Sequence, residues 1–162
     1  MNTCIFVVGT RDAGKTSMIR SLTGCGFKAR LWNVRNKQQK KLRAFVITSA
    51  ITEISGRKNP PDKFPKSLEK RFKVKRDQYD LLICPFELDT WGRYSFDKYV
   101  QAAIKRRFKV KVAIIKKAWD GYTHNISKIN KVCKQYKLKK LVLDASKDYN
   151  KESSKIKKFY PG

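Results

Sequence analysis

Apolar residues change their spacing repeatedly along the 162 residues, and each change marks an element. Residues 3–8 form an unbroken apolar, β-branched run, the pattern of a strand buried on both faces. Residues 16–22 place apolar positions at helical spacing, and Gly24 and Gly26 stop that helix. Residues 27–35 and 42–48 flank the polar turn 36–40 and read as a hairpin whose second arm is the better buried strand. Pro60, Pro61 and Pro65 make residues 55–66 a loop, and residues 66–74 form a short basic helix. The order then becomes regular: strand 79–86, helix 95–108, strand 109–116, helix 123–136, strand 141–143 and helix 152–159. Ser95 caps the first of these helices, with Tyr99, Val100, Ala103 and Ile104 on its apolar face. Strands separated by helical crossovers imply a three-layer α/β fold, a mostly parallel sheet with helices on both faces.

The first strand runs straight into Gly9-Thr-Arg-Asp-Ala-Gly-Lys-Thr16, which fits the phosphate-binding P-loop pattern G-x-x-x-x-G-K-[ST]. Glycines let the backbone curl so that successive N–H groups face inward, and a helix N-terminus adds positive potential at the same point. Gly9, Asp12, Ala13, Gly14, Lys15, Thr16 and Ser17 are therefore the candidate phosphate ligands. Lys15 reaches toward the β- and γ-phosphates, and Thr16 is the candidate Mg²⁺ ligand; these two are also the candidate catalytic residues.

Charge alters the picture. With 39 Lys+Arg against 13 Asp+Glu the formal net charge is +26, far more than one nucleotide requires. Such an excess implies a polyanionic partner: RNA, DNA, an acidic protein or an anionic membrane surface. Basic residues are spread along the chain rather than gathered in a tail, and a single domain spanning 1–162, with a basic insertion about 54–76, accounts for the length. Cys4, Cys25, Cys84 and Cys133 form no C-x-x-C pair and read as buried thiols of a reducing compartment. One histidine, His124, assembles neither a zinc site nor a His-based triad. With no apolar stretch of membrane-spanning length and no signal peptide, the expected location is the cytoplasm. Phe72, Phe108, Tyr136, Phe159 and Tyr160 interleave with basic residues, a pattern that suits stacking on unpaired bases, though core is the favoured reading.

The order of elements, P-loop, hairpin, then strands alternating with helices, resembles a Ras-like small GTPase. The resemblance implies that family's strand order and a guanine nucleotide, GTP or GDP, held with Mg²⁺, ATP being the other possibility. It implies that Asp120 selects the base, in the place of the family's Asn-Lys-x-Asp, with Lys117 standing where the asparagine would be. Ser146 and Lys147 follow the last strand, where the family has Ser-Ala-Lys. Aligned on the inner hairpin strand, Thr48 replaces the metal-site aspartate of Asp-x-x-Gly, Ile51 its glycine, and Thr52 the water-orienting glutamine. Both γ-phosphate sensors are thus altered, which implies slow or absent hydrolysis.

A different arrangement is also legible. Asp89-Thr-Trp-Gly92 is itself D-x-x-G, and Glu87 closes the strand before it. Were that strand beside the P-loop strand, Glu87 or Asp89 would be the Walker B acid of an ATPase or nucleotide kinase; Pro85 in the strand and the count of later elements argue for the GTPase order. A phosphotransferase would need a cationic lid, for which Arg71, Arg76, Arg106 and Arg107 are the candidates. The third reading is a non-catalytic P-loop module that binds nucleic acid.

Overall fold

The computed structural model describes residues 2–10, 13–49, 60–88 and 95–162. Six strands form one sheet: β1 (Thr3–Gly9), β2 (Ala29–Arg35), β3 (Lys41–Ile47), β4 (Leu81–Glu87), β5 (Lys109–Lys117) and β6 (Lys139–Asp144), in the order β2-β3-β4-β1-β5-β6. Only the β2–β3 pair is antiparallel; every other ladder is parallel. The helices are α1 (Lys15–Thr23), α2 (Lys66–Arg71), α3 (Phe96–Lys105), α4 (Ser127–Gln135) and α5 (Tyr149–Ser154), the last continued by a 3₁₀ segment, Lys155–Phe159.

Every residue of β1 and β4 is buried, because both strands have neighbours on each side and helices on each face. Alternation of side chains splits the core into two layers. Cys4, Phe6 and Val8 join Phe45, Phe64, Phe86, Tyr99 and Ile129 on the face of α2, α3 and α4. Ile5 and Val7 join Met18, Ile19, Leu22, Ile156 and Phe159 on the face of α1 and α5. Phe108, Phe159 and Tyr160 are core, as their apolar surroundings demand, while Ile104 is 41% exposed and drops out of the expected face of α3. All four cysteines are buried and free. No helix among the described residues is long and apolar enough to cross a membrane.

The three-layer class is as expected, but one neighbour relation is not. The hairpin does not supply the strand beside β1. That strand is β4, paired from Thr3↔Leu81 to Gly9↔Glu87, and β3 meets β4 only over Ala44–Val46. Pro85 is tolerated for a reason of direction. The Leu88 N–H donates to the Gly9 carbonyl (3.0 Å), so alternation aims the position-85 N–H toward the β3 side, where pairing has ended at Ile83.

Candidate phosphate-binding site

Gly9 ends β1 where backbone and side chains converge: a Cβ there would lie 3.1 Å from the Ala13 Cβ and 3.4 Å from the Lys15 Cγ. The Ala13 N–H donates to the Thr10 carbonyl (3.1 Å) and closes the turn. Gly14 has φ +106°, a region that L side chains rarely occupy, and its carbonyl accepts the first helical bond from Met18 (2.9 Å). No acid sits in the first turn of α1, and Gly14 brings no capping side chain to occupy its amides. The helix dipole therefore faces the loop uncompensated by any carboxylate of its own first turn.

Lys15 is buried, and its ammonium donates to the Thr10 carbonyl at 2.6 Å, back across the loop it belongs to. The Thr16 hydroxyl donates to the Thr48 carbonyl (2.6 Å), which uses its proton and leaves the oxygen lone pairs for a cation. Ser17 is exposed on the first turn. Arg11 and Asp12 lie outside the described residues.

Thr48 does not replace a metal-site aspartate. Its hydroxyl is shared between the carbonyls of Phe27 (2.9 Å) and Lys28 (3.2 Å), so it fastens the start of the hairpin. The acid in register with the P-loop is Glu87, buried and directly opposite Gly9. The Thr16 hydroxyl and the Glu87 carboxylate are each an oxygen donor of the kind a hard divalent cation takes. Ile51, Thr52 and the Asp89–Gly92 motif lie outside the described residues.

At the ends of β5 and β6 the structure gathers several of the expected residues. The Ala145 N–H donates to the Lys117 carbonyl (2.7 Å), joining the two strand ends. Ser146 donates its hydroxyl and its N–H to the Asp144 carboxylate, and Lys117 and Lys147 add positive charge. The Ser146 hydroxyl, chiefly, holds the Asp144 carboxyl below the usual carboxylate range. Asp120 is exposed, its carboxylate accepting the Tyr122 N–H (3.0 Å) in its own turn. Trp119 is 61% exposed and is not core.

Two contacts carry no sequence signal. The Tyr149 hydroxyl lies against Gly14, 2.6 Å from where a Cβ would be. His124 Nε2 and the Thr10 hydroxyl are hydrogen-bonded at 2.9 Å, which ties the loop after β5 to the P-loop. Both depend on elements distant in sequence packing at one end of the sheet. Two of the four arginines that a phosphotransferase lid would need, Arg76 and Arg106, are engaged elsewhere. Arg76 stacks on the Phe108 ring (3.5 Å) and donates to the Arg106 carbonyl, while Arg106 donates to the Asp62 carbonyl. These contacts lie by the first residues of β4 and β5, the end of the sheet opposite Gly9.

No protein-family model and no curated protein matches the chain. Among solved structures, the FeoB G-domain from Methanococcus jannaschii aligns over 98% of this chain and 95% of its own, with 16% identity and a TM-score of 0.52. A de novo designed P-loop fold protein aligns over 98% of this chain and 90% of its own, with 12% identity and a TM-score of 0.46. At 16% identity the first likeness establishes the fold. The chain has an α/β P-loop fold.

Proposed function

We propose that the chain binds a nucleoside triphosphate with Mg²⁺ at the turn between β1 and α1, with a guanine nucleotide as the first candidate. The observation that carries this reading is the cradle: a positive-φ glycine, an open first turn of α1 and the Lys15 ammonium converge on one point. In the bound state Lys15 exchanges the Thr10 carbonyl for phosphate oxygens, a stronger, charge-assisted contact. Thr16 and Glu87 would hold the metal ion, which neutralises charge on the phosphate oxygens. The named G-domain of similar fold and the Lys117, Ser146 and Lys147 cluster support guanine, with Asp120 reaching the base once it leaves its turn. On this reading hydrolysis is slow or absent, because Ile51 and Thr52 stand where a Ras-like GTPase has its γ-phosphate-sensing glycine and water-orienting glutamine.

The basic surface docks a polyanion. Even with each of the 13 acids neutralising one cation, 26 remain.

A second reading, a small ATPase, is favoured by one observation: β4, carrying Glu87, is the strand beside β1. Melting curves with GTP, GDP, ATP and tripolyphosphate, each with and without Mg²⁺, separate the two. A larger shift with GTP supports the first reading, an equal response to ATP the second, and no response to any of them overturns both.

A further inference from the structure

β2 is the outer strand of the sheet, and α2 on that side has only six residues. It ends at Phe72, whose ring packs on Phe45 of β3, and Lys73 (φ +56°) turns the chain away before β2 is covered. What remains is a groove of about 710 Å³ along the free edge of β2, which Arg30 and Trp32 reach from the face of α1 and Arg43 and Phe72 from the face of α2. Its walls include Phe27, Arg30, Trp32, Arg43, Phe72 and Lys73, and none of its lining residues is acidic. Arg30, Arg43 and Lys73 are exposed, and Phe27 is 49% exposed. The Arg30 guanidinium sits 4.3 Å from the Phe27 ring centroid, and Trp32 is 6.0 Å from that ring on its other contact. Arg71 lies 5.7 Å from the Phe72 ring centroid. Asp80 accepts the Arg43 backbone N–H, and the Arg43 guanidinium donates to Asn33.

We propose that this groove docks an unpaired nucleic-acid strand, with bases on Phe27 and the Arg30 plane and phosphates on Arg30, Arg43 and Lys73. The proposal rests on the polyanion part of the reading above and gives that partner a place and a form. Charge complementarity selects a polyanion, since the trough along the β2 edge carries Arg30 on one rim and Arg43 and Lys73 on the other, with no acid among its walls. Exposed aromatic and guanidinium planes select unpaired bases, because a duplex keeps its base faces stacked inside. A second copy of a chain with net charge +26 is repelled.

The test is fluorescence anisotropy with a labelled twelve-nucleotide unpaired RNA, its duplex form and an oligoglutamate of similar charge, over a salt series. Phe27→Ala and the pair Arg30→Gln/Lys73→Gln are compared with Lys128→Gln/Lys131→Gln on α4, which removes the same charge from exposed positions outside the groove. Melting curves confirm that each variant folds. The expected result is tighter binding of the unpaired strand than of duplex or oligoglutamate, with Phe27→Ala weakening it roughly tenfold. Arg30→Gln/Lys73→Gln should lower the salt slope by about 1.4, at about 0.7 per phosphate contact. Duplex or oligoglutamate binding as well as the single strand overturns the proposal, as does equal loss from the α4 pair with none from Phe27→Ala; both leave the general polyanion reading intact. Failure of wild type to bind any of the three overturns both.

Discussion

Thr16 and Thr48 are joined by a 2.6 Å hydrogen bond, hydroxyl to carbonyl, between the first turn of α1 and the residue just past β3. Thr48 in turn donates to the carbonyls of Phe27 and Lys28. The position that would ligate a cation is thus two hydrogen bonds from the aromatic residue at the mouth of the hairpin groove.

That arrangement separates two roles by substitution. Thr48→Val keeps the carbonyl and deletes the hydroxyl, leaving the Phe27 carbonyl short of that donor at a cost of about 1–2 kcal/mol, while the Lys28 carbonyl keeps the Thr48 N–H. The melting temperature should fall by roughly 2–8 °C, while Mg²⁺-dependent stabilisation by triphosphate persists. Glu87→Gln should do the reverse: the triphosphate still binds, but Mg²⁺ adds little, and its apparent affinity drops about tenfold or more. Unchanged Mg²⁺ dependence in Glu87→Gln would remove the acid from the site.

Lys15→Ala should abolish ligand-induced stabilisation. A ligand at a hundred times its Kd contributes about 2.7 kcal/mol, or roughly 5–11 °C for a chain of this size. The variant should melt at one temperature of its own, the same with and without GTP and Mg²⁺. A retained shift would place the nucleotide elsewhere.

Gly14→Ala meets two obstacles at once, the positive φ and the Tyr149 hydroxyl. We expect a loss of about 1–3 kcal/mol in denaturant unfolding. Tyr149→Ala on the Gly14→Ala background should recover part of it, with a coupling of about 0.5 kcal/mol or more in the double-mutant cycle. Simple additivity would show that the hydroxyl does not press on the loop.

Acid should loosen the junction of β6 and α5. Burial raises the Glu152 carboxyl, but the Lys155 ammonium and the Asp144 N–H more than offset it, so its folded pKa lies below the ordinary value. A group lowered in this way stabilises the fold fully above its unfolded pKa, and the contribution disappears as pH falls through the folded one. The acid limb of stability, below about pH 4, should be shallower in Glu152→Gln. That variant should also be less stable than wild type at pH 7, measured by urea unfolding at both pH values.

Local pattern determined a great deal here. The unbroken apolar run at 3–8, the helical spacing after Thr16 and the glycines between them specify a strand, a phosphate loop and a helix within one stretch of chain, because adjacent residues settle that geometry. The alternation of later strands and helices likewise determined a parallel sheet between helical layers, and the charge excess was plain from composition. Tertiary structure decided what lies beside what. Periodicity shows that a strand is buried and is silent about its neighbours, so Leu81–Glu87 rather than the hairpin came to flank β1, moving Glu87 into register with Gly9 and turning Thr48 to its own hairpin. Tyr149 against Gly14 and His124 against Thr10 exist only because separate crossovers deliver them to one end of the sheet. The uncovered groove beside β2 has the same origin, since the reach of a six-residue helix over a sheet is settled by packing and not by its sequence alone.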